Sequence, residues 1–170
     1  MKKYPIILLF IFLSSATTAQ IINIPDAAFK NVLVNTNCVW INNTTSVDVD
    51  TNNDGEIQVS EAEAVTDLRI QNNSLTTISG VENFTNLTNL NSSGNPLGLL
   101  DLSTMPALTY LGCSSCQLTA IDLSAFPNLQ GLGCANNLLT ILDAGMTQLY
   151  YLDCNNNVNL EFINIKNGVI

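Results

Sequence analysis

Leucines recur along this chain at a fixed spacing, and that spacing leaves few folds open. Leu87, Leu108 and Leu129 stand 21 residues apart, and Leu149 follows after 20. Three residues beyond the first three lie Leu90, Leu111 and Leu132; ten beyond lie Leu97, Leu118 and Leu139; thirteen beyond lie Leu100, Ile121 and Leu142. An earlier unit fits the same frame through Val65, Leu68, Ile70, Asn73, Leu75 and Ile78. A last unit fits with a one-residue insertion through Leu149, Leu152, Cys154, Leu160 and Ile163. A repeat of this length is the mark of a solenoid, because one unit cannot bury its own apolar face and stacked neighbours must do so together. Each unit is expected to supply one short strand, around Leu68, Leu90, Leu111, Leu132 and Leu152, with alternate residues inward and the strands stacked in parallel. The rest of each unit is too short for a helix, so the convex side is expected to be turns and extended chain.

Two further columns share this register. Asn73, Asn95, Asn137 and Asn157 are expected to turn inward, where a carboxamide can satisfy backbone groups left unpaired between coils. Cys116 takes the Asn place in the third unit, which weakens that ladder locally. Cys113, Cys134 and Cys154 form the second column, expected as stacked buried thiols packing like small hydrophobes. Parallel strands about 4.8 Å apart suit a disulfide poorly, since its Cβ atoms prefer about 3.8 Å. Cys113-Ser-Ser-Cys116 also matches C-x-x-C, but each cysteine already has a place in the repeat, and no second pair or histidine supports a redox or zinc reading. Cys38 lies outside the repeat.

Charge narrows the functional classes. Only 11% of residues are charged against 46% hydrophobic, the formal net charge is -9, and there is no histidine. A basic surface for nucleic acid is therefore missing, and so is a histidine-dependent nucleophile or imidazole zinc site. The acids fall in one loop and along turns rather than in a visible cleft, so the chain does not read as an enzyme. The first residues, MKKYPIILLFIFLSSATTAQ, carry Lys2 and Lys3, a short apolar run and a small-residue site ending at Ala19. They read as a signal peptide over 1–19, which implies a secreted or cell-surface protein with no membrane span in the mature chain.

The most chemically informative stretch is Asp50-Thr-Asn-Asn-Asp-Gly-Glu-Ile-Gln-Val-Ser-Glu61. It matches the EF-hand loop D-x-[DN]-x-[DN]-G-x5-E position by position. Asp50, Asn52 and Asp54 would offer side-chain oxygens, the Glu56 carbonyl another, Gln58 one through water, and Glu61 a bidentate carboxylate. Gly55 would allow the sharp turn and Ile57 would tuck the loop against the domain. Calcium, a hard cation that takes several oxygens in flexible geometry, is the expected ligand. Before the loop, Asp26 opens a helix with Phe29, Val32 and Leu33 on one face; after it, a second short helix begins near Ser60.

With these pieces in place, a resemblance emerges. LTYLGCSSCQLTAIDLSAFPN resembles the leucine-rich-repeat unit L-x-x-L-x-L-x-x-N-x-L, and VTDLRIQNNSLTTISGVENFTN looks like the 22-residue internalin type. LQGLGCANNLLTILD resembles a cysteine-bearing variant of secreted bacterial surface proteins. The order IPDAAFKNVL, DTNNDGEIQVSEAEA and then repeats resembles secreted internalin-like proteins of Gram-negative bacteria. The resemblance implies a leucine-rich-repeat solenoid with a small helical N-terminal cap over 20–64 and five repeats over 65–170. Members of that family usually continue with further repeats and a sorting domain, so a truncated chain is expected here. The implied function is an exported, non-catalytic binding scaffold for protein–protein interaction or adhesion, with one structural calcium site; the alternative is a carbohydrate-binding module.

The concave strand face is the expected binding surface for a protein or glycan ligand. Its outward positions are Asp67, Arg69, Asn89, Asn91, Tyr110, Tyr151 and Asp153, with Gly112, Gly131 and Gly133 between the tyrosines. The tyrosines would stack on a sugar or peptide side chain, and the glycines would let it approach closely. Asp101, Asp122 and Asp143 recur every 21 residues and are expected to cap turns.

Overall fold

The computed structural model describes residues 19–42, 44–102 and 105–165. The segment over 1–19 expected as a signal peptide lies outside the described residues, apart from its last position. From Val65 onward the chain winds as a leucine-rich-repeat solenoid. Its strands β3 (Asp67–Arg69), β4 (Asn89–Asn91), β5 (Tyr110–Gly112), β6 (Gly131–Gly133) and β8 (Tyr151–Asp153) pair in parallel. The register is the one the leucine spacing demands: Leu68, Leu90, Leu111, Leu132 and Leu152 stand opposite one another. The first four are wholly buried. On the far side the units run through turns. The exceptions are a 3-10 turn at Val81–Asn83 and a second, two-stranded parallel sheet, β7 (Ile141–Asp143) with β9 (Phe162–Asn164).

The cap is helical only in part. Helix α1 (Ala27–Asn35) starts where Asp26 accepts the Phe29 amide at 2.7 Å, and buries Phe29, Val32 and Leu33. Helix α2 (Val59–Ala64) starts one residue before the expected Ser60. Between them lies an antiparallel hairpin that the residue pattern does not announce, β1 (Val39–Ile41) and β2 (Thr45–Val47). This hairpin joins the sheet at its first edge through Val39 opposite Leu68, giving the order β2-β1-β3-β4-β5-β6-β8. It covers the strand edge that β3 would otherwise expose. One continuous core runs from Ile22 in the cap to Leu149 in the last coil.

The asparagine ladder follows the expected logic with one correction. Asn95 accepts the Asn73 and Leu75 amides with its oxygen and donates to the Ile70 and Ser92 carbonyls. Asn137 does the same for Cys116, Leu118, Cys113 and Cys134, and Asn157 for Leu139, Cys134 and Cys154. Each ladder residue therefore closes the coil before it. Asn73 has no repeat coil before it, and it is exposed rather than inward. Where Cys116 replaces Asn, no carboxamide reaches the coil above, and the Leu97 amide turns to the Asn95 carbonyl at 2.7 Å. The residue just before each ladder position (Asn72, Gly94, Ser115, Asn136, Asn156) is left-handed, and three of the five are asparagine, the non-glycine residue most at ease there.

Cys113, Cys116 and Cys134 are fully buried and Cys154 half-buried, all as free thiols. In the first two units Ile70 and Ser92 hold the cysteine column's place. Two of the recurring aspartates cap turns as expected: Asp122 accepts the Ser124 amide and Asp143 the Gly145 amide.

Candidate functional site

Two places bring polar side chains together: the cap loop and the outward face of the parallel sheet. In the loop, Asp50 is 2% exposed and Glu61 8% exposed. The Asp50 carboxylate accepts the Asp54 and Gly55 amides at 3.1 and 2.8 Å. Glu61 reaches back across the loop: one oxygen accepts from the Thr51 amide, the Thr51 hydroxyl and the Asn52 amide, the other from the Gln58 amide at 3.0 Å. Gln58 thus opens α2, with Glu61 three residues on returning to its amide as in a capping box. The amides of Asn52 and Gln58 both donate to Asp54. Asp54 is held below the usual carboxylate range, chiefly by the Glu56 backbone amide and then by Gln58 and Asn52.

The loop is anchored on both flanks. Ile57 is 1% exposed, and its carbonyl accepts the Ile22 amide. Lys30 of α1 pairs with Glu56 at 2.7 Å. Three carboxylates with carboxamide and backbone carbonyl oxygens are the hard-oxygen set that calcium takes. As folded, the loop closes on its own amides: among the described residues no three acidic side chains, cysteines or histidines converge as a metal-holding group. Asp50 and Glu61 are nonetheless buried carboxylates, and neither pairs with a cationic side chain among the described residues.

On the sheet, pleating places the expected residues in two rows: Asp67, Asn89, Tyr110, Gly131 and Tyr151, and beside them Arg69, Asn91, Gly112, Gly133 and Asp153. They do not all converge. Asp67, Arg69, Asn89, Asn91 and Tyr110 surround a cavity of about 330 Å³ at the cap-side end, whereas Tyr151 and Asp153 lie beyond β6 and do not line it. Gly112 and Gly131 are not an open floor either, which corrects the expectation that they let a ligand approach closely. A side chain at Gly131 would meet the Tyr110 ring at 2.8 Å, and one at Gly112 the Asn91 amide at 2.8 Å. The missing Cβ atoms make room for this chain's own side chains. Burial, with Tyr151 nearby, raises the Tyr110 phenol above its ordinary range.

Sequence reasoning missed two participants. Gln71 also lines the cavity, and extending the alternation two residues beyond Arg69 finds it. Trp40 comes from the unforeseen hairpin and lies over the Arg69 guanidinium, 4.4 Å from it to the ring centroid. Arg69 is also held along its edge by Asp67, through bonds of 3.1 and 2.9 Å.

No protein-family model matches the chain, and no curated protein matches it in sequence. Solved structures do. The functional domain of InlJ from Listeria monocytogenes, described as including a cysteine ladder, is 34% identical over 62% of this chain, with a TM-score of 0.57. The internalin InlF of the same organism is 23% identical over 88% of this chain, also with a TM-score of 0.57. The chain spans 26% of the first and 46% of the second. Among the described residues no helix is long and apolar enough to cross a membrane.

Proposed function

We propose that this chain is an exported, internalin-like binding scaffold without catalytic activity, acting in protein–protein interaction or adhesion, whose cap is held by one calcium ion. The outward sheet face carries the scaffold reading: a rigid parallel ladder displays Asn89, Asn91, Tyr110, Tyr151 and Asp153 while every inward position goes to the core. The likeness to InlJ and InlF supports the same reading, because solenoids of this kind present extended surfaces to partners. The Met1–Ala19 segment supports export.

The calcium reading rests on Asp50 and Glu61, buried in an EF-hand-spaced loop with backbone amides as their compensation. Asp50, Asn52, Asp54, Gln58 and Glu61, with the Glu56 carbonyl, would hold the ion. The ion would neutralise the buried carboxylates and lock the loop between α1 and α2. Calorimetric titration of residues 20–170 tests this reading. One saturable site, with a Kd of roughly 10⁻⁴ to 10⁻³ M as in extracellular modules, is expected, and it is lost in Asp50→Ala and Glu61→Ala. No heat from a folded sample up to several times that concentration would leave the loop a metal-free cap. For the scaffold, a pull-down against envelope and host-surface proteins with calcium present should recover a partner that Tyr151→Ala together with Asp153→Ala releases. A partner retained by that double variant would remove the sheet face from the reading.

A further inference from the structure

We propose that the cavity at the cap-side end of the sheet face binds a neutral saccharide. This rests on the sheet face being a ligand surface, and it adds a ligand class and a location. The lining is Asp67, Arg69, Gln71, Asn89, Asn91 and Tyr110, with Leu90 at the floor. Its volume, about 330 Å³, falls within the range of small-ligand sites.

Charge comes first. The lining holds one cation and one anion, and they neutralise each other: Arg69 donates to Asp67 through two nitrogens. In a chain of net charge -9 this is a locally neutral site, which disfavours cationic and anionic ligands alike. The hydrogen-bonding groups come next. The Asn91 side-chain oxygen accepts the Ser93 amide at 3.2 Å, and the Asn89 carboxamide lies beside the Thr109 hydroxyl, which also reaches the Thr88 carbonyl at 3.1 Å. Holding its oxygen fixes the Asn91 carboxamide and leaves its NH2 group to donate to a ligand, and Asn89 adds a second carboxamide beside it. Gln71 offers a donor and an acceptor, and Asp67 offers acceptors. A mixed set of this kind matches the hydroxyl rim of a sugar. The third element is the Tyr110 ring, settled over Gly131, which supplies the flat apolar wall that a sugar's C–H face needs. The site is also preorganised: Trp40 and Asp67 clamp Arg69, so little ordering remains for the ligand to impose.

Trp40 is the chain's single tryptophan and stacks on a lining residue, so its fluorescence reports on the cavity. Titration of residues 20–170 with maltotriose, cellotriose and chitotriose should give a saturable change for at least one of them. Its affinity should fall at least about tenfold in Asn91→Asp, which keeps the side-chain size but removes the donor, and in Tyr110→Ala. Tyr151→Ala, outside the cavity, should bind as the parent does. Circular dichroism shows that each variant is folded, and Asn91→Asp decides the matter if Tyr110→Ala is not. The proposal is overturned if none of the three sugars saturates, if Asn91→Asp binds unchanged, or if sialyllactose or an extended peptide binds more tightly. If none of the sugars binds while a protein partner is still released by Tyr151→Ala together with Asp153→Ala, the saccharide site falls and the scaffold stands.

Discussion

A single carboxamide decides whether a coil of this solenoid closes. Asn137 is 3% exposed and serves two amides and three carbonyls with one side chain. In Asn137→Ala the Cys116 and Leu118 amides stay buried without their acceptor, which costs about 2–3 kcal/mol. Asn73→Ala, at the same repeat position but exposed, should stay within about 0.5 kcal/mol of the parent. Urea unfolding of both variants checks the pair, and equal losses would refute the ladder's direction. The leucine spacing made this column legible, but it could not distinguish its first member, because the difference lies in the coil that precedes it. The thiols carry a second residue-scale consequence. Burial pushes Cys38 up to about 11 and Cys134 up to about 12, and raises Cys113 as well. A folded-state pKa above the unfolded value of about 8.5 means full stability below that pH and loss above it, as the unfolded chain releases protons that the folded chain keeps. Between about pH 8.5 and 11 each such thiol should remove up to about 1.4 kcal/mol per pH unit. Unfolding free energies across that window check this, with a shallower decline expected in Cys134→Ala.

The elements joining the cap to the first coil are held by backbone approach as much as by apolar contact. Gly80 sits at φ +105°, and a Cβ there would strike the Ile24 side chain and lie 2.9 Å from the Asn23 carbonyl. Gly80→Ala therefore combines backbone strain with a clash against the chain segment that crosses the first coil, and should cost about 2–3 kcal/mol. Its melting temperature and the Trp40 emission should both report a loosened cap; an unchanged melting curve would show that this crossing does not hold the cap. The helices were readable because Asp26 precedes a run with Phe29, Val32 and Leu33 at helical spacing, and that face is the one buried. The hairpin was not readable. Each of its strands has three residues, too few to show an alternation, and it is stabilised by pairing with the edge of β3. An element held by tertiary pairing leaves little trace in its own residues. With it went Trp40, and so the clamp on Arg69 that shapes the cavity.

At the scale of the whole molecule the solenoid was legible because its stability comes from nearest-neighbour burial, and a periodic interface demands a periodic sequence. The outward rows could be read from the alternation, but their convergence could not. Convergence depends on Tyr110 lying over Gly131, which separates the cavity from Tyr151, and on the Ser93 amide that holds the Asn91 oxygen. The same nearest-neighbour logic makes stability uneven along the axis. The middle coils are covered on both sides, and Leu111 and Leu132 are wholly buried. In the coil of β8 and β9, Val158 is 84% and Phe162 54% exposed and Leu152 is only half-buried. Local opening should therefore begin there. Native-state hydrogen exchange reads this directly. The Tyr110 amide, bonded to Thr88, and the Cys113 amide, bonded to Gly133, should exchange only through global unfolding. The Glu161 amide, bonded to Thr140, and the Ala144 amide, bonded to Asn164, should exchange much faster and respond weakly to denaturant. Leu111→Ala, which opens a void in a central coil at a cost of about 3 kcal/mol, should speed the first pair and leave the second nearly unchanged. Equal protection along the axis, or equal acceleration of all four amides, would mean that the coils open as one unit and that neighbour coverage does not set local stability.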